Sequence, residues 1–162
     1  MKILSAAILI ACVPLSTANA QLGKDASYFC TVEAAGGLSY DERAKKWEGA
    51  AFNARDKFVL RLKFLRIRVQ KSIFGKDETV YDYSVTTTKA GSNSPSPCET
   101  HSETYVTVTE LGWVVCHSDF QEYRVALKAN RFLRGYLLGY IDGKDNNQNT
   151  PSIEGGTCTK ID

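Results

Sequence analysis

The chain has 162 residues, 43% hydrophobic and 23% charged, which fits one globular domain, leaves no room for a second large core and excludes a disordered chain. Twenty Lys and Arg stand against 18 Asp and Glu, a formal charge of +2. That balance excludes a global electrostatic case for a nucleic-acid or membrane-surface partner.

Residues 1–20 read as a secretory signal peptide. Met1-Lys2 is a short positive start, residues 3–13 are almost wholly apolar, and Ala18-Asn19-Ala20 supplies small residues at both positions a signal peptidase reads. The apolar run is too short to span a bilayer. One β domain over residues 21–162 is therefore expected in the periplasm or outside the cell, with no transmembrane segment. A second reading is that Leu9-Ile10-Ala11-Cys12 is a lipoprotein cleavage motif, with an acylated Cys12 tethering the protein to a membrane. Against it, only eleven residues precede Cys12, and Val13 to Ala20 is an unusually apolar start for a mature lipoprotein.

Residues 27–33 carry Tyr28, Cys30 and Val32 on one face, a strand, with Gly36-Gly37 as the turn after it. Residues 41–47 form a helical turn or a loop leading to Trp47 and Phe52, which read as core anchors. In residues 57–71, Phe58, Leu60, Leu62 and Phe64 alternate with polar or smaller residues, and then the parity flips to Leu65, Ile67 and Val69. A one-residue slip turns every side chain over, so a β-bulge at Phe64-Leu65 is expected, keeping both apolar sets inside.

Residues 79–88 form a β-rich strand, and residues 89–102 a loop holding Gly91, Pro95 and Pro97. Residues 103–109 and 113–118 read as a hairpin turning at Glu110-Leu111-Gly112. Residues 121–128 form a strand, Ala129-Asn130 a turn, and residues 131–141 a long strand ending at Asp142-Gly143. A polar loop over 145–151 leads to a closing strand, 152–160. The predicted class is all-β: an antiparallel up-and-down barrel or sandwich of about eight strands.

Setting Cys12 aside leaves Cys30, Cys98, Cys116 and Cys158, an even count that reads as two disulfides in an exported domain. None lies in a C-x-x-C pair, so neither a zinc ribbon nor a redox dithiol is supported. Topology favours Cys30–Cys158, tying the first strand to the last, and Cys98–Cys116.

No catalytic residue or cofactor is indicated. There is no G-x-S-x-G, oxidised cysteines offer no thiolate, and no serine has a base placed beside it by a defensible spacing. His101 and His117 lie near Glu103 and Asp119. The expected hairpin register sets His117 opposite Tyr105 and leaves His101 about 13 Å away, too far for a shared ligand. Asp142, Asp145, Asn147 and Asn149 are weak Ca²⁺ candidates. They sit in an oxygen-rich segment that departs from the EF-hand, with Thr150 at the glycine position, and Asn-rich runs are also ordinary turn chemistry.

Lys57, Arg61, Lys63, Arg66 and Arg68 form a basic stripe on one strand face. It is either a binding surface or a solvated face that protects an edge and is neutralised by acids on the neighbouring strand. Residues 131–140 carry apolar side chains on both parities, so that strand is buried on two sides or sits at an interface. Tyr136, Leu138 and Tyr140 are candidates to line a ligand cavity, with ordinary packing as the alternative.

Tyr28-x-Cys30, Gly36-Gly37-Leu38, Trp47 with Phe52, Lys57-Phe58, Arg131-Phe132, Tyr136-x-x-Gly139-Tyr140 and Gly156-Thr157-Cys158 together resemble a group of small secreted proteobacterial proteins. The resemblance covers nearly all of the chain after residue 20 and implies no activity. Size and strand pattern also look like the periplasmic lysozyme inhibitors, small β barrels. Their inhibitory loop pattern is missing, so that likeness is one of fold only. Three functions follow in order of preference: a non-enzymatic binding or inhibitor module with an unknown protein partner, a small apolar-ligand barrel, and an enzyme acting on envelope or extracellular polymer.

Overall fold

A computed structural model describes residues 21–72 and 74–162, so the expected signal peptide and Cys12 lie outside the described residues. The domain is all-β. Its strands are β1 (Ala26–Asp41), β2 (Lys46–Ala51), β3 (Lys57–Lys71), β4 (Asp77–Lys89), β5 (Ser96–Cys98), β6 (Val106–Thr109), β7 (Trp113–Ser118), β8 (Gln121–Ala126), β9 (Arg131–Tyr136) and β10 (Ser152–Lys160). They form one antiparallel sheet in the order β5-β4-β3-β1-β10-β9-β8-β7, with β2 beside β1 and β6 beside β4. The ladder does not close. Between β5 and β7 it is reduced to one bridge, Glu99↔His117, next to the Cys98–Cys116 disulfide. The sheet is therefore folded over as a sandwich whose edges are clasped at one point.

Period-two alternation places Tyr28, Cys30 and Val32 of β1, Phe58, Leu60 and Leu62 of β3, and Val114, Tyr123, Val125 and Phe132 of β7 to β9 in one core. Phe58 sits at its centre, edge-on to Phe132 at 5.0 Å and to Tyr123 at 5.5 Å. Each such burial is worth roughly 1.5–3 kcal/mol. Both expected disulfides are present, Cys30–Cys158 and Cys98–Cys116.

The bulge falls where the parity flips, between Phe64 and Arg66, opposite Tyr83 and Asp82. It does not bury the second apolar set. Leu65, Ile67 and Val69 are 48%, 57% and 67% exposed, because the β3–β4 arm runs on past the end of the core.

Four other expectations are corrected. Gly36-Gly37 is not a turn, and β1 runs straight through it to Asp41. Gly37 is there for close approach: a Cβ would stand 2.0 Å from the Pro151 carbonyl, which accepts a hydrogen bond from Leu38 N at 3.1 Å. Trp47 is outside the core, packed between Tyr40 (5.5 Å) and Tyr140 (5.6 Å). Strand β9 stops at Tyr136, and a 3-10 turn follows at Tyr140–Asp142. Finally, β6 and β7 are joined by a tight turn but do not pair: β6 pairs with β4 and β7 with β8, so the turn is a corner between two parts of the sheet.

Candidate functional site

The bulge does bring the basic side chains onto one outer face, and part of the stripe is neutralised there. Arg66 Nε donates to Asp82 Oδ2 at 2.8 Å, Arg68 donates to Asp82 through Nε (2.5 Å) and Nη2 (2.8 Å), and Thr107 Oγ1 donates at 2.8 Å. Asp82 is fully buried beneath them. Hydrogen bonds from Arg68 outweigh the cost of burial and, with those from Arg66 and Thr107, hold its carboxyl well below the usual carboxylate range. The Tyr105 ring caps both guanidiniums, at 5.3 and 5.9 Å. This cluster binds β3, β4 and β6 together. Lys57, Arg61 and Lys63 remain exposed on the same strand.

The oxygen-rich loop is spent on protein donors. Asn147 Oδ1 accepts from Tyr40 N (2.7 Å) and Ser39 Oγ (3.1 Å), and its Nδ2 donates to Tyr40 O (2.9 Å). Asp145 accepts from the Trp47 indole at 3.0 Å, Asp142 from Lys144 N at 2.9 Å, and Asn149 from the Tyr136 hydroxyl at 3.3 Å. The segment clamps the β1–β2 hairpin. Tyr140 and Leu138 are 54% and 43% exposed, with Tyr140 on Trp47. They do not line a space inside the core, which Phe58, Tyr123 and Phe132 fill.

The histidines are adjacent, not 13 Å apart: their ring centres lie 4.2 Å from each other, tilted by 33°. The expected β6–β7 hairpin is absent, and the bridge Glu99↔His117 carries His101 alongside His117. Among the described residues, no group of three or more His, Cys, Asp or Glu side chains is placed to hold a metal ion.

The outer face of β7 to β10 is the largest feature the sequence did not single out. Three cross-strand rows build it: Trp113–Ala126–Arg131–Thr157, Val115–Arg124–Leu133–Gly155, and His117–Glu122–Gly135–Ile153. These alternate with the core-facing Val114, Val125 and Phe132, so their direction is fixed by the pleat. Trp113, Val115, Leu133 and Ile153 are 52%, 40%, 53% and 55% exposed. A groove of about 740 Å³ runs between Trp113, Leu133 and Arg131, with Ala34, Gly155 and Gly156 among its lining residues. On this face Arg124 Nε donates to Glu122 at 2.5 Å, and Glu33 accepts from Thr157 Oγ1 at 2.5 Å. The apolar residues on both parities of residues 131–140 were the available signal. Phe132 serves the core and Leu133 the open face.

Among the described residues, no helix is long and apolar enough to cross a membrane. Comparison of the chain with protein-family models, curated proteins and solved structures finds no match.

Proposed function

We propose that the protein is an exported, non-enzymatic binding module that docks a protein partner on the outer face of β7 to β10. The observation that carries this reading is the set of exposed apolar side chains, Trp113, Val115, Leu133 and Ile153, spread over three neighbouring rows of one pleated face. Single exposed apolar residues are ordinary, whereas a contiguous patch rimmed by polar groups marks an interaction surface. Trp and Arg dominate interface energetics, and Trp113 stands beside the groove with Arg124 and Arg131. Arg124 is paired with Glu122 while Arg131 stands in the groove without an ion pair among the described residues, which favours a partner with an apolar centre and a carboxylate at its rim. Two disulfides fit the extracellular or periplasmic setting of such a module. The apolar-ligand reading has less support, because the core is filled and the groove is open to solvent on one side.

The test is photocrosslinking in the producing cell, with a benzophenone side chain at position 113 or 133 and a control at Lys63 on the basic face. Discrete adducts at 113 and 133, absent at 63, are expected. Adducts only at 63, or equal labelling at all three, would overturn the assignment.

A further inference from the structure

We propose that the open edge of β3, from Ile67 to Lys71, takes an added strand: an extended segment of a partner protein that alternates carboxylate and apolar side chains. This surface is separate from the outer face of β7 to β10 and does not rest on that reading.

The backbone defines the edge. The ladder between β1 and β3 ends at Ala26↔Leu62, and just beyond it Phe64 N donates to Asp25 Oδ1 at 2.8 Å. Lys63 precedes that cap and lies outside the open edge. On its other side β3 stays paired with β4 as far as Lys71↔Asp77. Among the described residues, no strand pairs with Ile67 to Lys71 on the β1 side. Ser72 N donates across the arm to Lys76 O at 2.8 Å, so the even-numbered amides of this stretch face β4. Direction alternates residue by residue, which turns the N–H and C=O groups of Ile67, Val69 and Lys71 to the open side. The bulge makes the change of parity: before it the Phe64 amide faces β1, and after it the odd-numbered residues face that way.

The side chains define the partner. A row of edge N–H and C=O groups two residues apart is matched by an extended backbone, which is how strand addition gains its affinity. On one face of the arm Ile67 and Val69 are exposed, and apolar side chains of an added strand would lie beside them. On the other face stand Arg66 and Arg68. They share a single carboxylate, Asp82, which leaves the pair positively charged. Arg66 is more than half exposed, and β3 itself contains no acidic residue. Carboxylates opposite these arginines are attracted and basic residues are repelled. The same rule disfavours a second copy of this chain. A two-fold antiparallel pairing centred on Ile67 sets Arg66 of one chain against Arg68 of the other, and one centred on Arg68 sets the two Arg68 side chains together.

The edge is held ready for pairing. Asp82 ties Arg66 and Arg68 to Thr107 of β6, so the arm is braced from its β4 side while its β1 side stays open. At the far end Lys71 and Asp77 form an exposed ion pair at 2.6 Å. Ile67 to Lys71 spans about 13 Å at strand rise, which sets the partner segment at about five to seven residues.

The test is titration of the purified, oxidised protein with a capped peptide of about eight residues alternating Val and Glu, and with its Val-Lys counterpart, read by amide exchange in NMR spectra. The Val-Glu peptide should bind saturably and slow exchange at Ile67, Val69 and Lys71 about tenfold or more. Val69→Pro removes one outward amide from an edge strand, where proline is tolerated, so the fold stands and binding should be lost. Unchanged exchange along β1 and β10 checks the fold of that variant. Arg66→Gln leaves Arg68 on Asp82 and should weaken binding by up to about fivefold. Absence of saturable Val-Glu binding, equal binding of the Val-Lys peptide, or binding that survives in Val69→Pro would overturn the proposal. Protection of the same three amides by self-association of the protein would overturn it too, and would assign the edge to a second copy.

Discussion

Along β1 and β10 nine residue pairs run from Tyr28↔Lys160 to Gly37↔Ser152, with one register shift between Val32 and Ala34, and Cys30–Cys158 lies inside that ladder. Across β5 and β7 there is a single bridge, Glu99↔His117, and Cys98–Cys116 beside it. The two disulfides thus have different tasks. Local geometry at the first seam is set by backbone hydrogen bonds, so that disulfide acts mainly by restricting the unfolded chain. At the second, the disulfide itself keeps the edges together, and with them the position of His101 beside His117 and the free margin of the outer face of β7 to β10.

The largest effect should come from breaking the seams in turn. Loop-closure entropy gives about 4–5 kcal/mol for Cys30–Cys158 and about 3 kcal/mol for Cys98–Cys116, whose sequence separations are 128 and 18. Denaturant melts of the two double Ser variants should rank that way. The clasp variant alone should also lose the side-by-side histidines.

Asp82 comes next, because it ties β3, β4 and β6 on the clasp side. Asp82→Ala removes a buried acceptor from two guanidiniums that can reach solvent, and should cost about 2–3 kcal/mol. Its folded-state pKa lies below the unfolded one, so its contribution is full above the ordinary carboxylate pKa and is lost as pH falls below about 4. Between pH 7 and pH 3 the parent protein should therefore lose more stability than Asp82→Ala, and equal losses would show that the carboxylate is not so held. The smallest effect belongs to the β1 side. Asn147→Ala deletes three hydrogen bonds to Ser39 and Tyr40 and should cost about 1–2 kcal/mol, with a change in Trp47 fluorescence and no change at the clasp.

Much of the first seam was legible in the sequence and little of the second. The bulge at Phe64-Leu65 is a local parity flip, visible in any strand that keeps one face buried. The closing strand and Cys30–Cys158 follow from an up-and-down order whose last strand must return to its first. The β6–β7 turn misleads because Glu110-Leu111-Gly112 looks the same whether the flanking strands pair or part at a corner. The expected 13 Å between the histidines rests on that false register. The expected Cys98–Cys116 bond already contradicted it: joining residue 98 to residue 116 brings 101 and 117 within a few residues of each other. The outer face was half visible, since residues 131–140 read as buried on two sides or at an interface. Which parity faced solvent depended on Phe132 reaching Phe58, a contact between distant strands.

The asymmetry of the seams is tested most directly by residue-resolved hydrogen exchange in Cys98→Ser/Cys116→Ser. The amides of Glu99 and His117 donate to each other's carbonyls, at 3.0 and 2.8 Å. They should fall towards loop-like exchange while the β1–β10 ladder keeps its protection. Protection at Glu99 and His117 that survives loss of the disulfide, or falls only in step with the β1–β10 ladder, would contradict a seam clasped at one point.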